Sequence, residues 1–264
     1  MDTSGLKALV IDLDGTVYRG TTLIPGADEA ISTLFEAYDL YFLTNNSTRS
    51  RKEFLHRLSE LGISCAEQQL ITSGYAAAKY IHDRYPERRV YVIGEQGLVD
   101  ELREQHLTIC EEDCDCVLVG LDKAFSYSKL HNALQFILQG AVFIATNTDP
   151  FLVTSTGIKP GAGAIVAAIE TASGKHPIVT GKPSSFMRAL ILTMVNVQPH
   201  EILIVGDNLA TDIRMGIEGG MKTALVLTGA ATERDIASLA IRPEIVVDSL
   251  AELPQALRSL HTVK

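Results

Sequence analysis

The stretch "ALVIDLDGTVYRG" (residues 8–20) ends an apolar run in two aspartates, Asp12 and Asp14. In an extended segment, side chains at i and i+2 point the same way, so both carboxylates face one site while Leu13 faces the core. Two carboxylates so held repel by roughly 1 kcal/mol in water and about 4 kcal/mol at an effective dielectric near 20, a cost that a cation would offset. Gly15 permits a sharp turn just past the strand and lets main-chain N–H groups approach an anion. The plain alternative is a strand that ends in a polar turn. A calcium loop does not fit, because Val17 and Leu23 stand where it needs glycine and glutamate.

Three further stretches carry polar residues at the ends of apolar runs. In "FLTNNSTRS" (42–50), the Thr44 hydroxyl is suited to donate to a phosphoryl oxygen, and Asn45 and Asn46 favour a tight turn with exposed N–H groups. Its plain reading is a turn and a helix cap at Ser47 or Ser50. In "VTGKPSSF" (179–186), Lys182 reads as the start of a helix that opens through Pro183. A cation there opposes the macrodipole and gains from an anionic partner, although a solvated lysine is the commoner fate. This is not a P-loop: His176 stands at the first glycine position and Pro183 at the Ser/Thr position.

In "ILIVGDNLATDIRMG" (202–216), Asp207 ends an apolar strand and Asp212 falls in the first turn of the next helix. Carboxylate oxygens suit a hard cation such as Mg²⁺. Asp207 fits a direct ligand, and Asp212 fits a residue that orders a ligating water or the shell. Alternatively, Asp212 serves only its helix N-terminus, worth about 0.3–1 kcal/mol. No His, Cys or Ser arrangement of the usual nucleophilic kind accompanies these residues, which leaves a carboxylate as the nucleophile.

The elements that must hold these residues are also legible. "ALVIDL", "LYFLTN", "RVYVIG", "CVLVGL", "VFIATN", "ILIVGD", "TALVLTG" and "EIVV" read as strands covered on both faces. Amphipathic stretches such as "DEAISTLFEAY", "SRKEFLHRLSELG" and "SYSKLHNALQFILQG" lie between them, the last two stopped by Gly62 and Gly140. The pattern is α/β with a largely parallel, Rossmann-like sheet. The polar strand ends fall before residue 50 and after residue 179, and the residues between Ser73 and Thr180 have strands and helices of their own. A second α/β unit, residues 74–180, is therefore expected as an insertion in a core of residues 1–73 and 181–264. Ligands bind beyond the carboxyl ends of such strands, which makes the insertion a lid.

Composition narrows the partners. Among 264 residues, 46% are hydrophobic and 21% charged, with a net charge of −9. That charge argues against nucleic acid but leaves room for a locally positive site. The N-terminus lacks a secretory pattern and no apolar run is long enough to span a bilayer, so a cytoplasmic protein without membrane partners is expected. Three of the cysteines, Cys110, Cys114 and Cys116, lie in "CEEDCDC", which fits no common zinc spacing; together with Cys65 they are expected as reduced thiols.

"DLDGT", Thr44, Lys182 before proline, and "GDNLATD" resemble, in order, the four motifs of the haloacid dehalogenase-like hydrolase superfamily. The insertion is similar to the α/β (C2-type) cap of its NagD/4-nitrophenylphosphatase-like branch, and "LTNNSTRS", "IPGADEAI", "ATNTDP", "KPGAGAI" and "GKPSSF" are similar to stretches of that branch across core and insertion. The resemblance implies Mg²⁺-dependent hydrolysis of a small phosphate monoester through an aspartyl-phosphate. Asp12 would be the nucleophile and a metal ligand. Asp14 would be the acid/base, its main-chain carbonyl on the metal. Asp207 and Asp212 would complete the metal site. Leu13, Gly15, Thr44, Asn45, Asn46 and Lys182 would bind the phosphate, and Asp149 in the cap loop would meet the leaving group. A cap-mediated homodimer is a family-based expectation. Leu152 and Val153 depart from the relatives' pattern after the DP dipeptide, so substrate contacts do not carry over, and Phe151 is expected to be buried in the cap rather than stacked on a ring. Two alternatives remain: phosphoryl transfer to another hydroxyl, as in mutases, and a non-catalytic metal- and phosphate-binding module.

Overall fold

The computed structural model describes residues 5–154, 157–238 and 241–262. It divides into two compact units: Met1–Thr44, Leu55–Ile71 and Arg188–Lys264 form the first, and Asn45–Phe54 with Thr72–Met187 the second. The expected bounds differ, in that Asn45–Phe54 and residues 181–187 fall with the insertion. Hydrogen bonds from Asn45 Nδ2 to Lys182 O and from Arg51 N–H to Glu101 Oε1 tie these stretches to each other and to it.

The first unit is built on a six-stranded sheet in the order Ile245–Val247, Lys222–Val226, Ile202–Gly206, Ala8–Asp12, Asp39–Thr44, Leu70–Thr72. The first five of these pair in parallel. Ala8–Asp12 lies at the centre and is buried at every residue, as is Ile202–Gly206. That is why both read as unbroken apolar runs rather than alternating ones. The helix Ala27–Phe35 covers the sheet with Ala27, Ala30, Ile31 and Leu34, one helical face. Since Asp12 pairs with Leu43 in parallel register, one edge of the sheet carries Asp12, Thr44 and the Asp207 turn together.

The second unit has a five-stranded parallel sheet in the order Ile178–Val179, Val142–Ala145, Cys116–Val119, Arg89–Ile93, Thr108–Ile109. Helices Ser73–Arg84 and Gln96–Glu104 cover one face around Ile81, Leu98 and Leu102. Helices Tyr127–Leu138 and Ala162–Ser173 cover the other around Phe136, Ile137 and Ile169. All eight expected strands form. The additional ones are two or three residues long or belong to hairpins, too short for periodicity to reveal.

Two expectations fail in this unit. Phe151 is 50% exposed, because it begins a separate antiparallel hairpin, Phe151–Thr154 with Gly157–Pro160, rather than a strand of the main sheet. The cysteines are not all free: Cys110 and Cys114 form a disulfide in the loop before Cys116–Val119, their Cα atoms 6.0 Å apart. Cys65 and Cys116 remain thiols, each pushed up to about 11 by burial. Among the described residues, no helix is long and apolar enough to cross a membrane.

Candidate active site

In the first unit, the strand ends gather three carboxylates. One oxygen from each of Asp12, Asp207 and Asp212 lies within 4.8 Å of the others, and all three residues are buried. Each ionised pair at that spacing repels by about 3.5 kcal/mol or more at an effective dielectric near 20. Protein donors offset part of this: Ala230 N–H donates to Asp207 Oδ2 at 2.6 Å, and the Thr211 hydroxyl donates to Asp212 Oδ2 at 3.3 Å. The chain turns back between the two acids because Asn208 Oδ1 accepts from Ala210 N–H at 2.9 Å, opening a wide π-helical turn, Leu209–Ile213, that carries Asp212. A buried, convergent, all-oxygen donor set fits a small hard cation such as Mg²⁺.

The neighbours of Asp12 divide in their roles. Asp14 is exposed, and the Thr44 hydroxyl donates to its Oδ2 at 3.4 Å. Its carboxylate is not a member of the acidic cluster, which leaves only its main-chain carbonyl for the metal role the resemblance implied. Leu13 and Gly15 spend their N–H groups on Leu43 O at 3.2 Å and Tyr18 O at 2.8 Å. Gly15 (φ +95°) makes room for Asp207: a Cβ there, or on Gly229, would run into the Asp207 carboxylate.

In the second unit, Asn45 is a hub. Its Oδ1 accepts from Lys182 N–H at 2.8 Å, and its Nδ2 donates to Lys182 O at 3.2 Å and to Asp149 Oδ2 at 3.0 Å. Its main-chain carbonyl accepts from Ser73 Oγ at 2.5 Å and Asn147 Nδ2 at 2.7 Å. Asn46 Oδ1 accepts from Thr48 N–H at 3.0 Å, the tight turn expected of it. Ser50 shares a capping box with Glu53, so the helix-cap reading of Ser50 holds. Lys182 is buried, but it does not open a helix. The next helix begins at Ser185, and Lys182 lies in the turn before it, so the macrodipole argument does not apply.

Behind Asn45, the segment is pinned by Arg51. Its N–H and Nε donate to Glu101 Oε1 at 2.5 Å and Oε2 at 3.2 Å, and its guanidinium lies 3.9 Å above the Tyr75 ring. Burial pushes the Glu101 carboxyl up, against the lowering effect of Arg51. Sequence reading missed Ser73, Asn147, Gly229 and Ala230; only the glycine after "TALVLT" hinted at a close approach.

Comparison with known proteins decides the family. A haloacid dehalogenase-like hydrolase model matches residues 9–108, and an HAD-hydrolase-like model matches residues 179–253. The chain is a haloacid dehalogenase-like hydrolase. The hydrolase is 37% identical over 247 residues to the 5'-nucleotidase YutF of Bacillus subtilis, covering 93% of this chain and 96% of that protein. It is 33% identical over 249 residues to the ribonucleotide monophosphatase NagD of Escherichia coli, covering 94% and 98%. The p-nitrophenyl phosphatase structure from Archaeoglobus fulgidus superposes with a TM-score of 0.91 at 32% identity, covering 95% of the hydrolase and 99% of that chain. A glycerol phosphate phosphatase from Mycobacterium tuberculosis, solved in complex with magnesium, superposes with a TM-score of 0.86 at 32% identity, covering 98% and 78%.

Proposed function

We propose that the hydrolase is a Mg²⁺-dependent phosphatase of small phosphate monoesters, acting through a phosphoryl group carried on Asp12. The observation that carries this reading is the buried convergence of Asp12, Asp207 and Asp212 in one carboxylate cluster. The phosphatase names of its relatives support it. Asp12, Asp207 and Asp212 would hold the cation together with the Asp14 carbonyl. When bound, Mg²⁺ would neutralise the accumulated negative charge and polarise the phosphoryl group.

The chain's own groups do the rest. A carboxylate oxygen of Asp12 attacks phosphorus, and the bond to the leaving oxygen breaks with its electron pair going to that oxygen. Asp14 supplies the proton. Its exposure suits the second half, in which it takes a proton from water while that water attacks phosphorus. The bond from phosphorus to Asp12 then breaks, the carboxylate is restored, and phosphate leaves. Thr44 and Lys182 hold the phosphoryl oxygens: the hydroxyl donates and the ammonium supplies charge. The inserted unit acts as the lid that keeps bulk water from the intermediate, with Asp149 in its specificity loop.

The reading is tested with p-nitrophenyl phosphate. Phosphate release should require Mg²⁺, stop with EDTA, and be lost in Asp12→Asn. Undiminished turnover in that variant would remove Asp12 from the chemistry. A panel of nucleoside monophosphates and sugar phosphates would then rank the natural class.

A further inference from the structure

We infer that Asn45 is a positioning residue: its carboxamide clasps the main chain of Lys182 and the carboxylate of Asp149, and so aims the Lys182 side chain rather than touching phosphate itself. This rests on the phosphatase reading, in which Lys182 holds the phosphoryl group.

The hydrogen-bond inventory of one side chain carries the inference. A carboxamide has two N–H donors and one carbonyl. The Lys182 main-chain N–H can only donate, so the oxygen of Asn45 must be the atom 2.8 Å from it, which fixes the amide's orientation. The two Nδ2 hydrogens then go to Lys182 O and Asp149 Oδ2, at 3.2 and 3.0 Å. Both donors are committed within the protein, and the residue is 9% exposed. Nothing of the side chain is left to offer a phosphate. Gripping both the N–H and the C=O of one residue fixes that residue's peptide planes on either side, and with them the direction of its Cα–Cβ bond.

A second, independent feature agrees. Residue 181 is glycine, and a Cβ there would collide with Thr146 O and stand 2.6 Å from Asn45 Oδ1. The close approach of the two strands of chain is therefore built in at the residue next to Lys182. The hub's far side is braced as well, with Ser73 and Asn147 both donating to the Asn45 carbonyl and Asn147 Oδ1 accepting from Asp149 N–H at 3.1 Å.

The test is a double-mutant cycle on kcat with p-nitrophenyl phosphate at saturating Mg²⁺. Asn45→Ala alone is expected to lower kcat by about 10- to 100-fold, the range for a misaimed catalytic group. Lys182→Ala alone should cost more. The Asn45→Ala, Lys182→Ala double variant should be no slower than Lys182→Ala, because a clasp has nothing to aim once the lysine is gone. The Mg²⁺ concentration for half-maximal activity should stay at the wild-type value in Asn45→Ala, which a general loosening of the protein would not allow. Asn45→Asp, with the same shape but without the two donors, supplies the cycle if the alanine variant does not fold. Losses that multiply in the double variant would overturn the clasp. Full activity in Lys182→Ala would instead overturn the phosphatase assignment of that lysine.

Discussion

Ala230 N–H donates to Asp207 Oδ2 at 2.6 Å, and Ala231 N–H donates to the Asp207 carbonyl at 2.9 Å, so the loop after strand Lys222–Val226 wraps one aspartate from both ends. The wrap is possible because residues 15 and 229 are glycines; a Cβ on either would occupy the carboxylate's space. We expect Gly229→Ala to weaken Mg²⁺ binding by about tenfold or more, the usual effect of displacing an outer partner of a metal ligand. Titration calorimetry with Mg²⁺ on the wild type and the variant checks it. Unchanged affinity would mean that Asp207 is free to swing without loss.

Glu101 gives a pH dependence with a definite sign. Its folded carboxyl is raised above the ordinary value of 4.5 by burial, so the folded state holds its proton more tightly than the unfolded state. Stability from this group is full below about pH 4.5 and is lost as pH rises through the raised value. Removing one partner of the Arg51–Glu101 pair should cost about 3–5 kcal/mol, whereas replacing both, as in Arg51→Met with Glu101→Leu, should cost far less. Urea unfolding across pH 4–8 reads both effects. A double variant as unstable as Arg51→Ala would show that the ion pair, despite its burial, is a net source of stability.

Cysteine chemistry is checked by counting. Thiol titration of the unfolded, unreduced chain should find two groups, Cys65 and Cys116, and four after reduction. Closing so short a loop is worth about 2 kcal/mol in the chain-entropy model, so a reducing agent should lower the melting temperature modestly. Four thiols before reduction would remove the Cys110–Cys114 bond.

What the sequence made legible was local. Asp12 and Asp14 are two residues apart on a strand end, and Asp207 and Asp212 straddle one turn, so period and turn chemistry single them out as candidates, and the resemblance supplies their expected roles. Asn45 was legible as a turn residue and, through the resemblance, as a phosphate ligand, but not as a hub. Its true partners stand 137 and 104 positions away, beyond the reach of any local pattern. Gly229 and Ala230 were hidden for a different reason: what they contribute is an absent Cβ and a main-chain N–H, and every non-proline residue has the latter. Lys182 was found but its setting was misread, because the proline that suggested a helix start belongs to the turn before Ser185.

The central claim, that Asp12 takes up the phosphoryl group, can be read directly by mass. p-Nitrophenolate leaves without needing a proton, so Asp14→Asn should still let Asp12 be phosphorylated while starving the water step of its base. Acid-quenched Asp14→Asn protein, mixed with p-nitrophenyl phosphate and Mg²⁺, should carry one phosphoryl group on the peptide that contains Asp12, labile to hydroxylamine and absent when Asp12 is also changed to Asn. Phosphate released by Asp12→Asn at the wild-type rate, with no adduct on any aspartate, would contradict the account.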